Sequence, residues 1–154
     1  MKNILRKLKP KSRAGKDSET NDTMKYLIIG LGNMGIAYEN TRHNLGFQAL
    51  DRLAEKNNLT FQPKRHADVA GFAIKGRTFT LVKPSTLVNL SGKAVNYWMQ
   101  KEHIPPERML ILVDDVSLPF GTIRIKSQGG DAGHNGLAHI NRTLGHQNYP
   151  RLRF

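Results

Sequence analysis

Residues 25–35 read KYLIIGLGNMG, in which the apolar run Tyr26 to Ile29 passes directly into a segment with three glycines. A short, uninterrupted apolar run bounded by glycine is typical of a strand that is buried on both faces of a sheet. We therefore expect residues 25–30 to form a central strand, with the rest of the chain arranged around it.

The remaining chain alternates between helical and strand patterns. Apolar residues at helical spacing predict helices over 45–56, 91–101 and 136–144. Apolar or alternating runs predict strands over 69–75, 78–82, 109–113 and 121–126, with the first two joined in a hairpin, and a further strand begins at Arg151. Strands that alternate with helices predict an α/β fold around a mixed sheet.

The composition limits the chemistry. The chain has 154 residues, which fits one domain, and its lack of cysteine excludes disulfides, thiolate metal sites and cysteine nucleophiles. Its apolar runs are far shorter than the roughly 18–20 residues that cross a bilayer, so we expect a soluble, cytoplasmic protein. With 24 Lys+Arg against 12 Asp+Glu, the formal charge is +12, which favours a polyanionic partner such as nucleic acid. A high charge that serves only solubility is the alternative.

Residues 1–23 differ in character from the rest. They carry seven basic and three acidic side chains and have no apolar core of the kind that a secretory signal needs. We expect a basic, disordered N-terminal extension before a domain at residues 24–154, and Met24 is a candidate for the native start.

The glycines at 30, 32 and 35 satisfy the G-x-G-x-x-G pattern of dinucleotide-binding loops. That site also needs a helix that opens at the third glycine, so that its N-terminus faces the pyrophosphate. Here the third glycine is followed by the loop-forming residues 36–44, and the next helix is expected only from Leu45. We therefore do not expect a dinucleotide site.

Polar side chains gather where the predicted strands end or the predicted helices begin. They are Asn33, His43-Asn44, Asn89, Asp114 and His134-Asn135. The carboxyl ends of strands line the functional crevice of an open α/β sheet. A histidine held by an aspartate presents its second nitrogen as a base, and amides can donate to an oxygen that gains negative charge.

This set of groups favours acyl transfer or hydrolysis, but each group has a plainer interpretation. An asparagine near a helix start is commonly an N-cap. The pair Asp114-Asp115 is either a solvated acidic loop or a pair of magnesium ligands, although adjacent side chains on an extended segment point in opposite directions. The residue chemistry alone leaves these alternatives open.

Five motifs, taken together and in this order, resemble the bacterial-type peptidyl-tRNA hydrolases. They are GLGNMG at 30–35, TRHN at 41–44, KPSTLVNLSG at 83–92, VDD at 113–115 and GGDAGHNG at 129–136. The resemblance covers about residues 24–154. It implies a three-layer sandwich with a mixed, largely parallel twisted sheet flanked by helices. It also implies hydrolysis of the ester between a peptide and its tRNA, in recycling after stalled or aborted translation, by a monomer that needs no metal or cofactor.

The resemblance also implies roles for particular residues. His43 matches the catalytic histidine that activates water, and Asp114 matches the acid that orients it. Asn33, Asn89 and Asn135 match the amides that hold the peptide backbone, the histidine and the ester carbonyl.

Three further residues match positions that contact the substrate. Tyr38 matches an aromatic residue that lines the same pocket. Lys126 and Arg153 match the basic residues that clamp the terminal phosphate of the tRNA, a role that suits a pair of cations.

The sequence departs from the family at several points. Met34 stands where the family usually has proline, which predicts a looser loop around Asn33, and Val88 replaces a methionine, which slightly reshapes the peptide pocket. Family members also continue for some tens of residues beyond the position of Phe154. We expect a C-terminally shortened domain, with marginal folding and weak activity.

Three alternatives to the hydrolase remain. A non-catalytic RNA-binding relative on the same fold, or an inactive truncated product, suits the basic tail and the shortened end. The presence of both His43 and Asp114 favours the enzyme. A nucleotide-dependent oxidoreductase rests on the glycine loop alone.

Overall fold

The computed structural model describes residues 24–154, and at its centre is a seven-stranded sheet. The expected basic extension at residues 1–23 lies outside the described residues. No helix within residues 24–154 has both the length and the apolar character needed to span a bilayer.

Seven strands and three α-helices make up the described part of the chain. The strands are β1 (Lys25–Gly30), β2 (Gln62–Lys64), β3 (Ala67–Ile74), β4 (Arg77–Pro84), β5 (Met109–Val113), β6 (Arg124–Lys126) and β7 (Arg151–Arg153). The helices are α1 (Leu45–Lys56), α2 (Ser91–Lys101) and α3 (Asn135–Leu144). Short 3-10 turns lie at Ile36–Tyr38, Arg42–Asn44, Val88–Leu90 and Pro106–Arg108.

The strand order is β2-β3-β4-β1-β5-β7-β6, so β1 lies in the middle of the sheet, as its apolar run predicts. The central strands β4, β1, β5 and β7 are mutually parallel, and Ile29 of β1 pairs with Val82 on one side and with Ile111 on the other. The outer strands β2, β3 and β6 pair antiparallel. The expected mixed α/β sheet is confirmed.

Each face of the sheet has its own apolar cluster, because successive side chains of a strand point to opposite faces. On one face, Leu27 and Ile29 of β1 pack with Trp98 of α2 and Ile140 of α3. On the other face, the cluster forms around Leu50 of α1 and includes side chains from β4 and β5. Two helices therefore cover one face and a single helix covers the other.

Two glycines of the opening motifs allow α1 to lie directly against β1. A Cβ atom built on Gly30 would be 2.3 Å from the carbonyl oxygen of Gly46, and one on Gly46 would be 2.5 Å from the amide nitrogen of Leu31. Side chains at these positions would separate the helix from the strand. No helix opens at Gly35, as the sequence predicts, because a 3-10 turn follows it and α1 begins at Leu45.

The structure differs from the sequence-based expectation in the short strands. The predicted strand over 121–126 is limited to Arg124–Lys126, because the chain turns at Pro119–Thr122, where Gly121 has φ +83°. Strand β2 is not predicted by any pattern, since its three residues are all exposed. The strand that begins at Arg151 is internal and lies between β5 and β6.

Candidate active site

The carboxyl ends of β1, β4 and β5 meet at one edge of the sheet, which we call the reaction edge. The segments that leave these strands, residues 31–44, 85–90 and 114–123, carry most of the predicted polar residues. The loop before α3 joins them, since a Cβ atom on Gly136 would lie 3.0 Å from the carbonyl oxygen of Val88. The fold therefore brings together motifs that lie far apart in the sequence.

Two imidazole rings hold the carboxylate of Asp114 from opposite sides. Nδ1 of His43 lies 2.8 Å from Oδ2 of Asp114, and Nε2 of His134 lies 3.0 Å from Oδ1. The Asp114 side chain is only 1% exposed, whereas that of His43 is 61% exposed. The expected His43–Asp114 contact is present. The Asp114 carboxylate accepts hydrogen bonds from both rings and is buried.

The hydrogen bonds of His134 define which of its nitrogens carries the proton. Its Nδ1 accepts from the backbone N–H groups of Gly136 (3.0 Å) and Leu137 (3.4 Å), which caps the start of α3. A nitrogen that accepts has no proton, so in the neutral ring the proton is on Nε2 and is donated to Asp114. An ionised carboxylate only accepts, so Nδ1 of His43 donates to Asp114, and in the neutral ring the Nε2 lone pair of His43 is then free.

The charge of Asp114 is maintained by its two partners. Burial alone would raise the pKa of this carboxyl, but the hydrogen bond and Coulombic attraction of His134, and the attraction of His43, together lower the pKa below its ordinary value. Asp114 therefore remains ionised well into the acidic range and can orient His43.

A small cleft lies beside this group. Its volume is about 70 Å³, and it is lined by His43, Asp114 and the loop Asp131–Gly133, among others. A water molecule needs roughly 10–15 Å³ of such space. The cleft can therefore hold the water that a histidine base would activate.

His43, Asp114 and His134 place their ligand atoms within 4.8 Å of one another, a spacing that a metal site would also have. The donor chemistry does not fit a metal. Both rings direct an N–H group at the carboxylate, and His134 uses its other nitrogen to cap α3. A cation would have to displace protons and break that cap, so the arrangement suits proton transfer better than metal binding.

The predicted amides fall into two groups. The Oδ1 atom of Asn33 accepts from the backbone N–H of Val88 at 2.8 Å, so this side chain joins two segments of the reaction edge. Asn89 and Asn135 are exposed, and within residues 24–154 their side chains have no hydrogen-bond partner. These two amides are free to meet a ligand.

The residues predicted to contact the substrate lie at different depths. Tyr38 is 42% exposed in the loop that leads to His43. Lys126 is exposed and lies near Arg153, since both side chains are 4.0 Å from the position of a Cβ atom on Gly129. Arg153 is buried and already donates to the carboxylate of Asp115 (3.4 Å) and to the carbonyl oxygen of Gly130 (2.9 Å).

Two residues have roles that the sequence reasoning did not assign. The sequence marks His134 only as a polar group before a helix, although it is the second donor to Asp114. Asn44, which is 3% exposed, holds both backbone groups of Asn33: its Oδ1 accepts from the N–H and its Nδ2 donates to the carbonyl, each at 2.8 Å. Histidine is not among the usual N-cap residues, so the sequence around His134 carries no signal for its role.

The fold and the reaction edge together define an α/β protein that presents a carboxylate-held imidazole at the ends of its parallel strands. The family model for peptidyl-tRNA hydrolase matches residues 27–154. The chain belongs to the peptidyl-tRNA hydrolase family.

Individual relatives agree with this assignment. The peptidyl-tRNA hydrolase of Bacteroides fragilis is 62% identical over 131 residues, which cover 85% of this chain and 70% of the relative. That of Mycobacteroides abscessus is 42% identical over 129 residues, covering 82% of this chain and 66% of the relative. The crystal structure of the Acinetobacter baumannii peptidyl-tRNA hydrolase has a TM-score of 0.79 at 38% identity, over 83% of this chain and 66% of that chain.

Proposed function

We propose that the protein hydrolyses the ester bond of peptidyl-tRNA and so releases the peptide and the tRNA. Family membership supports this reaction, and the names of the relatives agree with it. The observation that carries the proposal is the 2.8 Å contact between His43 and a buried, ionised Asp114, which leaves Nε2 of His43, a residue that lines the cleft, without a hydrogen bond within residues 24–154.

In the proposed reaction His43 acts as the general base. Its Nε2 removes a proton from a water molecule as the water oxygen attacks the ester carbonyl carbon. Asp114 holds the ring in the required tautomer and stabilises the imidazolium that forms. When the tetrahedral intermediate collapses, the bond to the ribose oxygen breaks and His43 returns the proton to that oxygen. The products are a free peptide carboxyl group and an intact tRNA.

The amides of the reaction edge would position the ester. Asn89 and Asn135 are exposed and unpaired within the described residues, so either side chain can donate to the carbonyl oxygen as it gains negative charge. Asn33 has its Oδ1 committed to Val88, which leaves its Nδ2 group for the peptide backbone.

The proposed contacts to the tRNA involve Lys126 as the exposed cation and Arg153 as the buried cation beside it. We place Tyr38 at the rim of the peptide pocket. Residues 24–154 would form the catalytic domain and residues 1–23 an extension, in a protein that acts as a monomer in the cytoplasm, where translation supplies the substrate.

The test is release of the blocked amino acid from N-acetyl-aminoacyl-tRNA by the full chain and by His43→Ala. Loss of a general base should lower turnover by about two to four orders of magnitude while tRNA retention on a filter stays near the wild-type value. His103→Asn is the matched control, because it also removes an imidazole but lies exposed between α2 and β5.

Near-normal turnover by His43→Ala would remove this residue from the mechanism. If the wild-type protein retains tRNA on the filter but releases nothing, the RNA-binding alternative replaces the hydrolase.

A further inference from the structure

The outer face of α2 carries a row of residues spaced by four. Lys93, Tyr97 and Lys101 lie one helical turn apart from each other, so they follow one another along the same face over about 12 Å. Both lysines are exposed and Tyr97 is half-buried. This row does not take part in the chemistry at the reaction edge.

Arg65 joins this row from the turn between β2 and β3. Its guanidinium lies 5.3 Å from the centre of the Tyr97 ring. The ammonium of Lys101 lies 4.9 Å from the centre of the Trp98 ring. The indole N–H of Trp98 donates to the backbone carbonyl of Arg65 at 3.0 Å, which fixes the turn against the helix. Arg65 and Lys101 therefore both lie against aromatic rings of α2.

The positive charge of this face is not neutralised. Within residues 24–154, none of Arg65, Lys93 and Lys101 forms an ion pair. The acidic residue that follows the row, Glu102, lies 4.0 Å from Lys25.

The position of Lys93 adds to this excess of positive charge. It lies in the first turn of α2, where the helix dipole disfavours a cation. Burial of His139 lowers the pKa of that ring, and the positive charges of Arg142 and Lys93 lower it further. A lysine in the first turn of α2 costs stability in the free protein, and binding of an anion beside Lys93 would explain its presence there.

We propose that Arg65, Lys93, Tyr97 and Lys101, here called the α2 strip, bind the phosphate backbone of the tRNA body. The choice of tRNA rests on the proposed function. The strip begins beside the turn Val88–Leu90 of the reaction edge and leads away from it, so a tRNA whose end reaches His43 can extend along it. Rows of cations on a helix supply the sequence-independent part of nucleic-acid affinity.

The test compares two double charge reversals. Arg65→Glu/Lys101→Glu changes the strip, whereas Lys75→Glu/Arg77→Glu changes the exposed turn between β3 and β4, at the other end of β3 from Arg65. Both change the net charge equally. Binding of deacylated tRNA is measured by filter retention between about 50 and 200 mM salt, the range over which phosphate contacts are strongly weakened.

The strip variant should bind tRNA at least about tenfold more weakly at low salt, and the slope of log K against log salt should become shallower by about 0.7–0.9 for each lost phosphate contact. The control variant should keep the wild-type slope. A short N-acetyl-aminoacyl ester of a CCA oligonucleotide, which lacks the tRNA body, should be hydrolysed equally by all three proteins. Equal weakening by both variants, or an unchanged slope in the strip variant, overturns the proposal.

Lys93→Gln separates RNA contact from folding. It removes a cation from the first turn of α2, so the melting temperature should stay the same or rise while tRNA binding weakens and its salt slope becomes shallower by about one unit. Unchanged tRNA binding by this variant would exclude Lys93 from the strip. If the wild-type protein hydrolyses neither substrate, the proposed function fails, while the binding measurements still decide the strip.

Discussion

His134 links catalysis to the start of a helix through the two nitrogens of one ring. Its Nδ1 accepts from the first N–H groups of α3, and its Nε2 donates to Asp114. The cap keeps the proton off Nδ1, so Nε2 is the nitrogen that donates and His134 becomes the second donor to Asp114. We regard His134 as a positioning residue that acts through Asp114.

His134→Asn should separate these two roles. The Oδ1 atom of asparagine can take the place of Nδ1 and keep the cap, but nothing replaces Nε2. Because His134 lowers the pKa of Asp114, its removal should raise that pKa, so that Asp114 becomes protonated at a higher pH than in the wild type. We expect a roughly tenfold loss of kcat, corresponding to about 1.4 kcal/mol, and an acidic limb of the pH–kcat profile that lies at higher pH.

The readouts are the pH profile and the melting temperature, which should stay close to the wild-type value in His134→Asn. His134→Ala is the comparison, since it loses the cap as well and should unfold more easily by about 1 kcal/mol. A wild-type pH profile in the asparagine variant would mean that His134 is only a cap.

At the scale of elements, α2 and α3 cross with almost no space between them. A Cβ atom on Gly92 would lie 2.3 Å from Oγ1 of Thr143, and the N–H of Gly92 donates to Nδ1 of His139 at 2.9 Å. The side chain of His139 on α3 thus satisfies a backbone donor in the first turn of α2, where intrahelical acceptors are missing.

This contact predicts a loss of stability in acid. Burial first, and then the charges of Arg142 and Lys93, lower the pKa of His139 from the usual 6.5. The unfolded chain therefore binds this proton more readily than the folded protein. The contribution of His139 is complete above about pH 6.5 and is lost as the pH falls through the lowered folded-state pKa.

Urea unfolding at pH 7.5 and at pH 5.5 measures this loss. His139→Asn keeps an oxygen that accepts from Gly92 but cannot take up a proton, so its free energy of unfolding should fall less than that of the wild type, by about 1 kcal/mol. Equal losses in the two proteins would show that His139 does not contribute to the pH dependence.

The elements themselves differ in how well the sequence predicts them. Helices α1 and α2 begin and end at the predicted residues because each has a polar face and an apolar face that mark the pattern clearly. Strands β2 and β6 have three exposed residues each, so they carry no burial pattern and depend on pairing with β3 and β7. Of the site, His43 and Asp114 follow from the motifs, whereas the roles of His134 and Asn44 depend on contacts across the fold.

At the scale of the whole molecule, the two faces of the sheet are covered unequally. On the face with α1, a cavity of about 750 Å³ lies between that helix and the segment Pro119–Ile123, and Leu152 and Phe154 form part of its wall. Phe120 is fully exposed, and Ile123 is 64% exposed. The chain spans about 70% of the length of the Bacteroides fragilis relative.

The exposed apolar residues of this face predict binding of an apolar dye to the folded protein. The native chain at neutral pH should raise the fluorescence of ANS, and Phe120→Ser/Ile123→Thr should lower that emission by about half or more. Ile74→Thr, at an exposed position near the turn between β3 and β4, is the control and should change it little. Equal ANS emission from all three proteins would show that the dye does not bind at Phe120 and Ile123.

The hydrogen bonds between Asn44 and Asn33 have a consequence for the segment between them. They join the two ends of the segment 33–44, so the conformational entropy lost in closing this loop is part of the cost of folding. Met34 and Ile36, both exposed, lie inside the closed span. The extra backbone freedom expected from methionine in place of proline is therefore confined to the loop. We therefore expect this loop to change conformation while its two ends, one carrying Asn33 and the other adjoining His43, keep their positions.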